Sequence, residues 1–166
     1  MSHNPGPVSP SASPPQDPEK PKRKILERLH ILVVEDDRDS RSLIARFLRQ
    51  AGARVTAVAD AYEALEVIRQ VRPDLLLSDI AMPGMDGHAL IRQVRSSPSL
   101  FGFGSLVPAI ALSAYAAHDD RVSALGAGFD EHLAKPVDFA AMLATITRVV
   151  NEKRAQGERK TDRPKR

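Results

Sequence analysis

Residues 30–37 read HILVVEDD, and residues 74–79 read DLLLSD. Each is a short, nearly unbroken apolar run that ends in carboxylates. Runs of this length without polar alternation fit strands buried on both faces, as in a parallel sheet. The strand candidates are His30–Val34, Arg54–Ala59, Asp74–Ser78, Pro108–Leu112 and Phe129–Ala134. Helical patterns fall between them. Asp39–Ala51 carries Leu43, Phe47 and Leu48 on one face and is stopped by Gly52. Ala61–Val71 ends before Pro73, Gly87–Arg95 ends at Ser-Ser-Pro, and His118–Leu125 ends at Gly126. Asp138–Asn151 starts after Pro136, with Asp138 placed as its N-cap. Strands alternating with helices predict an α/β fold, a doubly wound five-stranded parallel sheet with five helices and right-handed crossovers.

The 166 residues fit one domain with appended tails, and 42% hydrophobic residues supply one sizeable core. There is no cysteine, which excludes disulfides and thiolate metal sites. The net charge of +3 is unevenly spread. Residues 1–24 carry four Lys/Arg against two Asp/Glu, residues 25–152 carry thirteen against seventeen, and residues 153–166 carry seven against two. The basic character therefore belongs to the ends and is poor support for nucleic-acid binding. Residues 1–24 hold seven prolines and few apolar side chains, and are expected to be a disordered tail. Residues 25–152 are the expected folded domain, and 153–166 the expected disordered basic tail. That short tail cannot form a DNA-binding module, so no DNA-binding domain is expected. No secretory signal is evident, and no apolar run approaches the ~20 residues that span a bilayer, so no membrane association and a cytoplasmic location are expected. Residues 96–107, with Phe101 and Phe103, make a long connection that is expected either to cover an apolar edge or to form a docking surface.

In doubly wound sheets, ligands bind beyond the carboxyl ends of the strands. Strand one runs into Glu35, Asp36 and Asp37, strand three into Ser78-Asp79, strand four into Ser113, and strand five into Lys135-Pro136. Parallel strands bring all these groups to one rim. Each pair of carboxylates at about 4 Å costs about 4 kcal/mol at an effective dielectric near 20. A hard cation relieves that repulsion, and oxygen ligands with water suit Mg²⁺. Lys135 adds a fixed positive charge. Such a rim suits phosphoryl transfer with a carboxylate as nucleophile and a nearby hydroxyl as donor to the bound group. Asp37 is read as a surface or helix-capping residue. Met82, Gly84 and Gly87 are read as shaping the loop after strand three. His30, His88 and His118 are scattered, and none is assigned to metal.

The stretches ILVVEDD, LLLSDIAMPGMDG, PAIALSA and HLAKPVD occur in order across residues 29–150. Together they resemble the motifs of receiver domains of two-component response regulators, a CheY-like superfamily with a flavodoxin-like fold. The form GFDEHLAKPVD is similar to receivers of hybrid sensor kinases. The resemblance implies that Asp79 is the phosphoacceptor, Asp36 a direct Mg²⁺ ligand, and Glu35 a ligand acting mainly through water. It further implies that the Ala81 carbonyl completes the set, that Ser113 is the switch hydroxyl, and that Lys135 contacts the phosphoryl group. A cis Lys135–Pro136 bond is also implied. The donor is expected to be a histidine kinase or a histidine phosphotransfer protein. Two departures from the common pattern stand out: His132 occupies the place usually held by Tyr or Phe, and Ala81 and Tyr115 follow the acceptor and the switch hydroxyl by two residues. An aspartyl phosphatase would need a second acid two residues after the nucleophile, and Asp79-Ile80-Ala81 lacks one. A binding module without phosphorylation fits the intact acidic set poorly.

Overall fold

The computed structural model describes residue 1 and residues 24–97, 107–114 and 118–161. The strands are β1 (His30–Val34), β2 (Arg54–Val58), β3 (Leu75–Asp79), β4 (Ala109–Ser113) and β5 (Glu131–Ala134). The helices are α1 (Arg38–Gln50), α2 (Ala61–Val71), α3 (Gly87–Ser96), α4 (His118–Ala127) and α5 (Phe139–Thr161). Every strand pairing is parallel, in the order β2-β1-β3-β4-β5. This is the flavodoxin-like order, and it confirms the predicted fold class.

The unbroken apolar strands are explained by the two faces they serve. In β1, Leu32 and Val34 point into one core with Leu65, Ile68, Leu90, Ile91 and Ala124 of α2, α3 and α4. Ile31 and Val33 point into the other, with Ile44 and Leu48 of α1 and Met142 and Ile146 of α5. Strands β3 and β4 alternate the same way, and every residue of β1, β3 and β4 is buried. Leu26, fully buried in the turn before β1, closes the α1–α5 side, and its N–H reaches the Ala51 carbonyl at 3.0 Å. Burying one leucine contributes about 2 kcal/mol.

Local signals place the helices. Asp37 caps α1 by accepting the Ser40 N–H at 2.8 Å, Asp60 caps α2, and Asp86 caps α3 by accepting the Ala89 N–H at 2.7 Å. Asp138 accepts the Ala141 N–H at 2.8 Å, in the capping role expected of it.

The α1 face differs from expectation. Ile44, Ala45 and Leu48 are the buried residues, whereas Leu43 is 56% exposed and Phe47 stacks on Phe139 with ring centroids 4.1 Å apart. Leu43 lies about 100° around the helix from Ile44, so the i, i+4 pair Ile44–Leu48 sets the buried stripe.

Helix α5 continues to Thr161 instead of ending at Asn151. Glu152, Lys153, Arg154, Ala155 and Gln156 are good helix formers despite lacking an apolar pattern. Arg148 and Glu152 pair one turn apart, and Lys153 Nζ lies 2.7 Å from Asp130 Oδ1. Phe101, Phe103 and Tyr115, with most of the 96–107 connection, lie outside the described residues.

Candidate functional site

The chain leaves β1 for β2 on one side of the sheet, and reaches β3, β4 and β5 on the other. The point where direction reverses lies between the carboxyl ends of β1 and β3. Glu35 and Asp36 follow β1, and Asp79 ends β3. One carboxylate oxygen from each of these three residues lies within 4.8 Å of the other two. Glu35 is fully buried, Asp79 is 4% exposed, and Asp36 is open to solvent. Lys135 enters from the end of β5, with Nζ 2.7 Å from Glu35 Oε2 and 3.2 Å from Asp79 Oδ2.

The electrostatics follow from this placement. Burial pushes the Glu35 carboxyl above the ordinary range; the Lys135 ammonium pulls it back, and the Asp79 charge pushes it up again. Burial raises Asp79 too, against the pull of Lys135. For Lys135 burial opposes the charged form, but attraction to Glu35 and Asp79 outweighs it and the pKa is raised. One ammonium thus faces three carboxylates.

These residues fit a hard cation. Glu35 Oε2 is buried beside the ammonium yet receives no aligned hydrogen bond, and Asp36 offers an exposed oxygen next to it. Oxygen donors that converge at a half-open rim match Mg²⁺, which retains several waters.

The surrounding turns explain why these side chains converge. Asp37 is committed to the α1 cap, and the hydrogen bond from Ser40 holds its carboxyl below the usual range. That leaves Asp36 as the exposed acid. The Ala81 N–H sits 3.4 Å from Asp79 Oδ1 in the β3–α3 loop. Gly87 opens α3 so close to the strand end that a Cβ there would run into the Asp79 carbonyl oxygen. Its N–H also donates to the Ile80 carbonyl at 2.9 Å. Gly84 has φ +77°, a conformation that glycine adopts without penalty, so both glycines shape the loop as read from the sequence.

Ser113 ends β4, 4% exposed, with its Oγ 3.0 Å from His132 Nε2 on β5. The Lys135 N–H donates to the Ser113 carbonyl at 2.7 Å, and the Lys135–Pro136 bond is cis. Burial lowers the His132 pKa; Asp120 and Glu131 oppose that, and Arg121 adds to it. The structure thus joins Glu35, Asp36, Asp79 and Lys135 in one cluster, and Ser113 with His132 in a pair tied to it through the Lys135 backbone. His30, by contrast, is buried at the opposite end of β1, with Nε2 2.8 Å from Thr56 Oγ1.

Two arginines escaped the sequence reading. Arg95 is 14% exposed and donates to the carbonyls of Gly128 and Val107 and to Asp130. Arg41 donates to the carbonyls of Glu35 and Asp36. Arg41 stands on a helix just after an acidic turn, and Arg95 in the last turn of α3 before Ser96-Ser97-Pro98; neither has a further local signature.

A parallel α/β domain with three carboxylates, a lysine and a serine at the carboxyl rim defines a receiver-type signalling module. The sequence profile of the response regulator receiver domain matches residues 31–147, and the chain belongs to that family. It is 49% identical over 121 residues to an uncharacterised 14.6 kDa protein of Leptolyngbya boryana, a match covering 73% of this chain and 89% of that protein. The receiver domain of a sensor histidine kinase from Pseudomonas aeruginosa, described with a magnesium ion coordinated in its active-site cleft, is 35% identical. It superposes with TM-score 0.66 over 74% of this chain and 98% of that one. The receiver domain of the Saccharomyces cerevisiae response regulator Ssk1, solved with the histidine phosphotransfer protein Ypd1, is 25% identical with TM-score 0.69, covering 75% and 90%. The chain spans about half the length of the Streptomyces transcriptional regulators it matches. Among the described residues, no helix is long and apolar enough to cross a membrane.

Proposed function

We propose that this receiver domain is a phosphorelay switch that accepts a phosphoryl group on Asp79. The observation that carries the reading is the convergence of Glu35, Asp36, Asp79 and Lys135 at the reversal point of the sheet. A carboxylate oxygen of Asp79 attacks the phosphorus of a phosphohistidine. The P–N bond breaks, an acyl phosphate forms, and the donor's imidazole, already protonated on its second ring nitrogen, leaves as neutral histidine. Lys135 holds the phosphoryl oxygens by charge. Glu35, Asp36, Asp79 and the Ala81 carbonyl would hold Mg²⁺, which when bound would neutralise charge on those oxygens. Ser113 turns its hydroxyl from His132 to the phosphoryl group, so the contact between them is the switch.

The donor is a histidine kinase or a histidine phosphotransfer protein, as the likeness to the Ssk1 receiver supports. With such a donor, the domain works on the cytoplasmic side. Output runs through changed protein contacts.

The test is labelling by a small phosphodonor such as acetyl phosphate, with and without Mg²⁺. Labelling is expected to need the metal and to vanish in Asp79→Asn. In a Mg²⁺ titration, Asp36→Ala is expected to lose far more affinity than Asp37→Ala. Undiminished labelling of Asp79→Asn would overturn the assignment.

A further inference from the structure

The turn between β1 and α1 carries two of the three clustered acids, yet little of it belongs to the sheet. The Glu35 N–H still reaches the Val58 carbonyl at 3.2 Å, after which the chain turns outward. Arg41, half-buried in the first turn of α1, reaches back over this turn. Its Nη1 donates to the Glu35 carbonyl at 2.6 Å and to the Asp36 carbonyl at 3.1 Å. Its backbone N–H donates to the Asp37 carbonyl at 2.9 Å, and the Asp37 N–H donates to Glu35 Oε1 at 3.2 Å. One side chain thus ties the peptide planes of both acidic residues to the helix.

We propose that Arg41 is a positioning residue for the metal centre, fixing the backbone of Glu35 and Asp36 so that their carboxylates converge with Asp79. This rests on the Mg²⁺ reading above. The guanidinium meets the carbonyls of Glu35 and Asp36, and none of the three clustered carboxylates. By charge alone it repels a divalent cation, so removing it would tighten Mg²⁺ binding. By positioning, removing it loosens two donors and weakens binding. The two accounts predict opposite signs. Charge-assisted bonds to two carbonyls from one nitrogen favour the second.

The experiment is calorimetric titration of the full chain with Mg²⁺ at pH 7.5, comparing the unaltered protein with Arg41→Met and Arg41→Lys. The Mg²⁺ dissociation constant is expected to rise about tenfold in Arg41→Met and about threefold in Arg41→Lys, which keeps charge but loses the planar fork. In metal-free protein, the amide NMR signals of Glu35, Asp36 and Asp37 are expected to move more than those elsewhere in α1. Labelling by acetyl phosphate at saturating Mg²⁺ is expected to return to within about twofold of the unaltered rate, because the defect lies in metal affinity. Unchanged or tighter Mg²⁺ binding in Arg41→Met overturns the proposal. So does a labelling rate that stays tenfold down at saturating metal. If Arg41→Met does not fold, Arg41→Gln carries the same comparison. Absence of Mg²⁺ binding by the unaltered chain overturns the metal reading itself. Normal binding there with an indifferent Arg41→Met overturns the role of Arg41 alone.

Discussion

Lys135→Met keeps a stem of similar length and removes the one ammonium in the carboxylate cluster. With Nζ at 2.7 Å from Glu35 and 3.2 Å from Asp79, the gross attractions are about 6 and about 5 kcal/mol at an effective dielectric of 20. Desolvation of the three ions offsets much of this, and removing one partner of a buried pair costs about 3–5 kcal/mol. Metal-free Lys135→Met is expected to lose that amount in urea unfolding at pH 7.5, a large part of the ~5–15 kcal/mol that holds a domain together.

The loss depends on pH. The folded pKa values of Glu35 and Asp79 lie above their unfolded values. Between the two values the native state holds more protons, so stability falls as pH rises through that window. Without Lys135 the window reaches higher, and the deficit shrinks as pH is lowered from 7.5 towards 5. Mg²⁺ at ten times its dissociation constant returns about 1.4 kcal/mol to whichever form binds it. A deficit under about 1 kcal/mol, or one indifferent to both pH and Mg²⁺, would refute the reasoning and make Lys135 an ordinary surface charge.

Arg95→Met leaves the carbonyls of Gly128 and Val107 without their guanidinium donor, and is expected to cost about 3 kcal/mol or more in urea unfolding; a loss below about 1 kcal/mol would mean that water replaces the guanidinium. His132→Phe tests the titration of the switch pair. Burial places the folded pKa of His132 below its unfolded value, so the unfolded chain takes up the proton first and stability falls as pH drops below about 6.5. The difference between the unaltered and His132→Phe stability profiles is expected to carry that slope, and a flat difference from pH 7.5 to 5.5 would show that His132 does not titrate there.

Much of the architecture was legible because strands and chemistry share boundaries. β1 was placed at His30–Val34 since charged residues follow it directly. β3 and β4 each extend one residue further than read, to Asp79 and Ser113. There the ladder continues past the last apolar side chain, with the Ile80 N–H still bonded to the Leu112 carbonyl. β5 starts later than read, because Asp130 turns inward to accept the Ala109 N–H and the Arg95 guanidinium. The reach of α5 was illegible because local propensity and ion pairs, rather than an apolar stripe, carry its last turns. Arg41 and Arg95 were illegible because an arginine on a helix reads as surface until the fold shows which carbonyls it meets.

The complete burial of β1 and β3 has a consequence for how the chain finds its alignment. A half-exposed strand that slips by one residue turns its oily side to water, and that penalty keeps it in place. Strands that are apolar on both sides feel no such correction. What marks the correct position here are the polar groups at the ends. At one end, the Asp74 N–H meets the His30 carbonyl at 2.8 Å, and the His30 N–H meets Asp74 Oδ2 at 2.8 Å. At the other, Glu35 and Asp79 must both come level with Lys135. A slip of one residue, about 3.3 Å, would drag a carboxylate into the apolar interior or strand the ammonium alone. The acids that equip the rim for chemistry therefore also act as the fiducial marks by which three strands are brought into line.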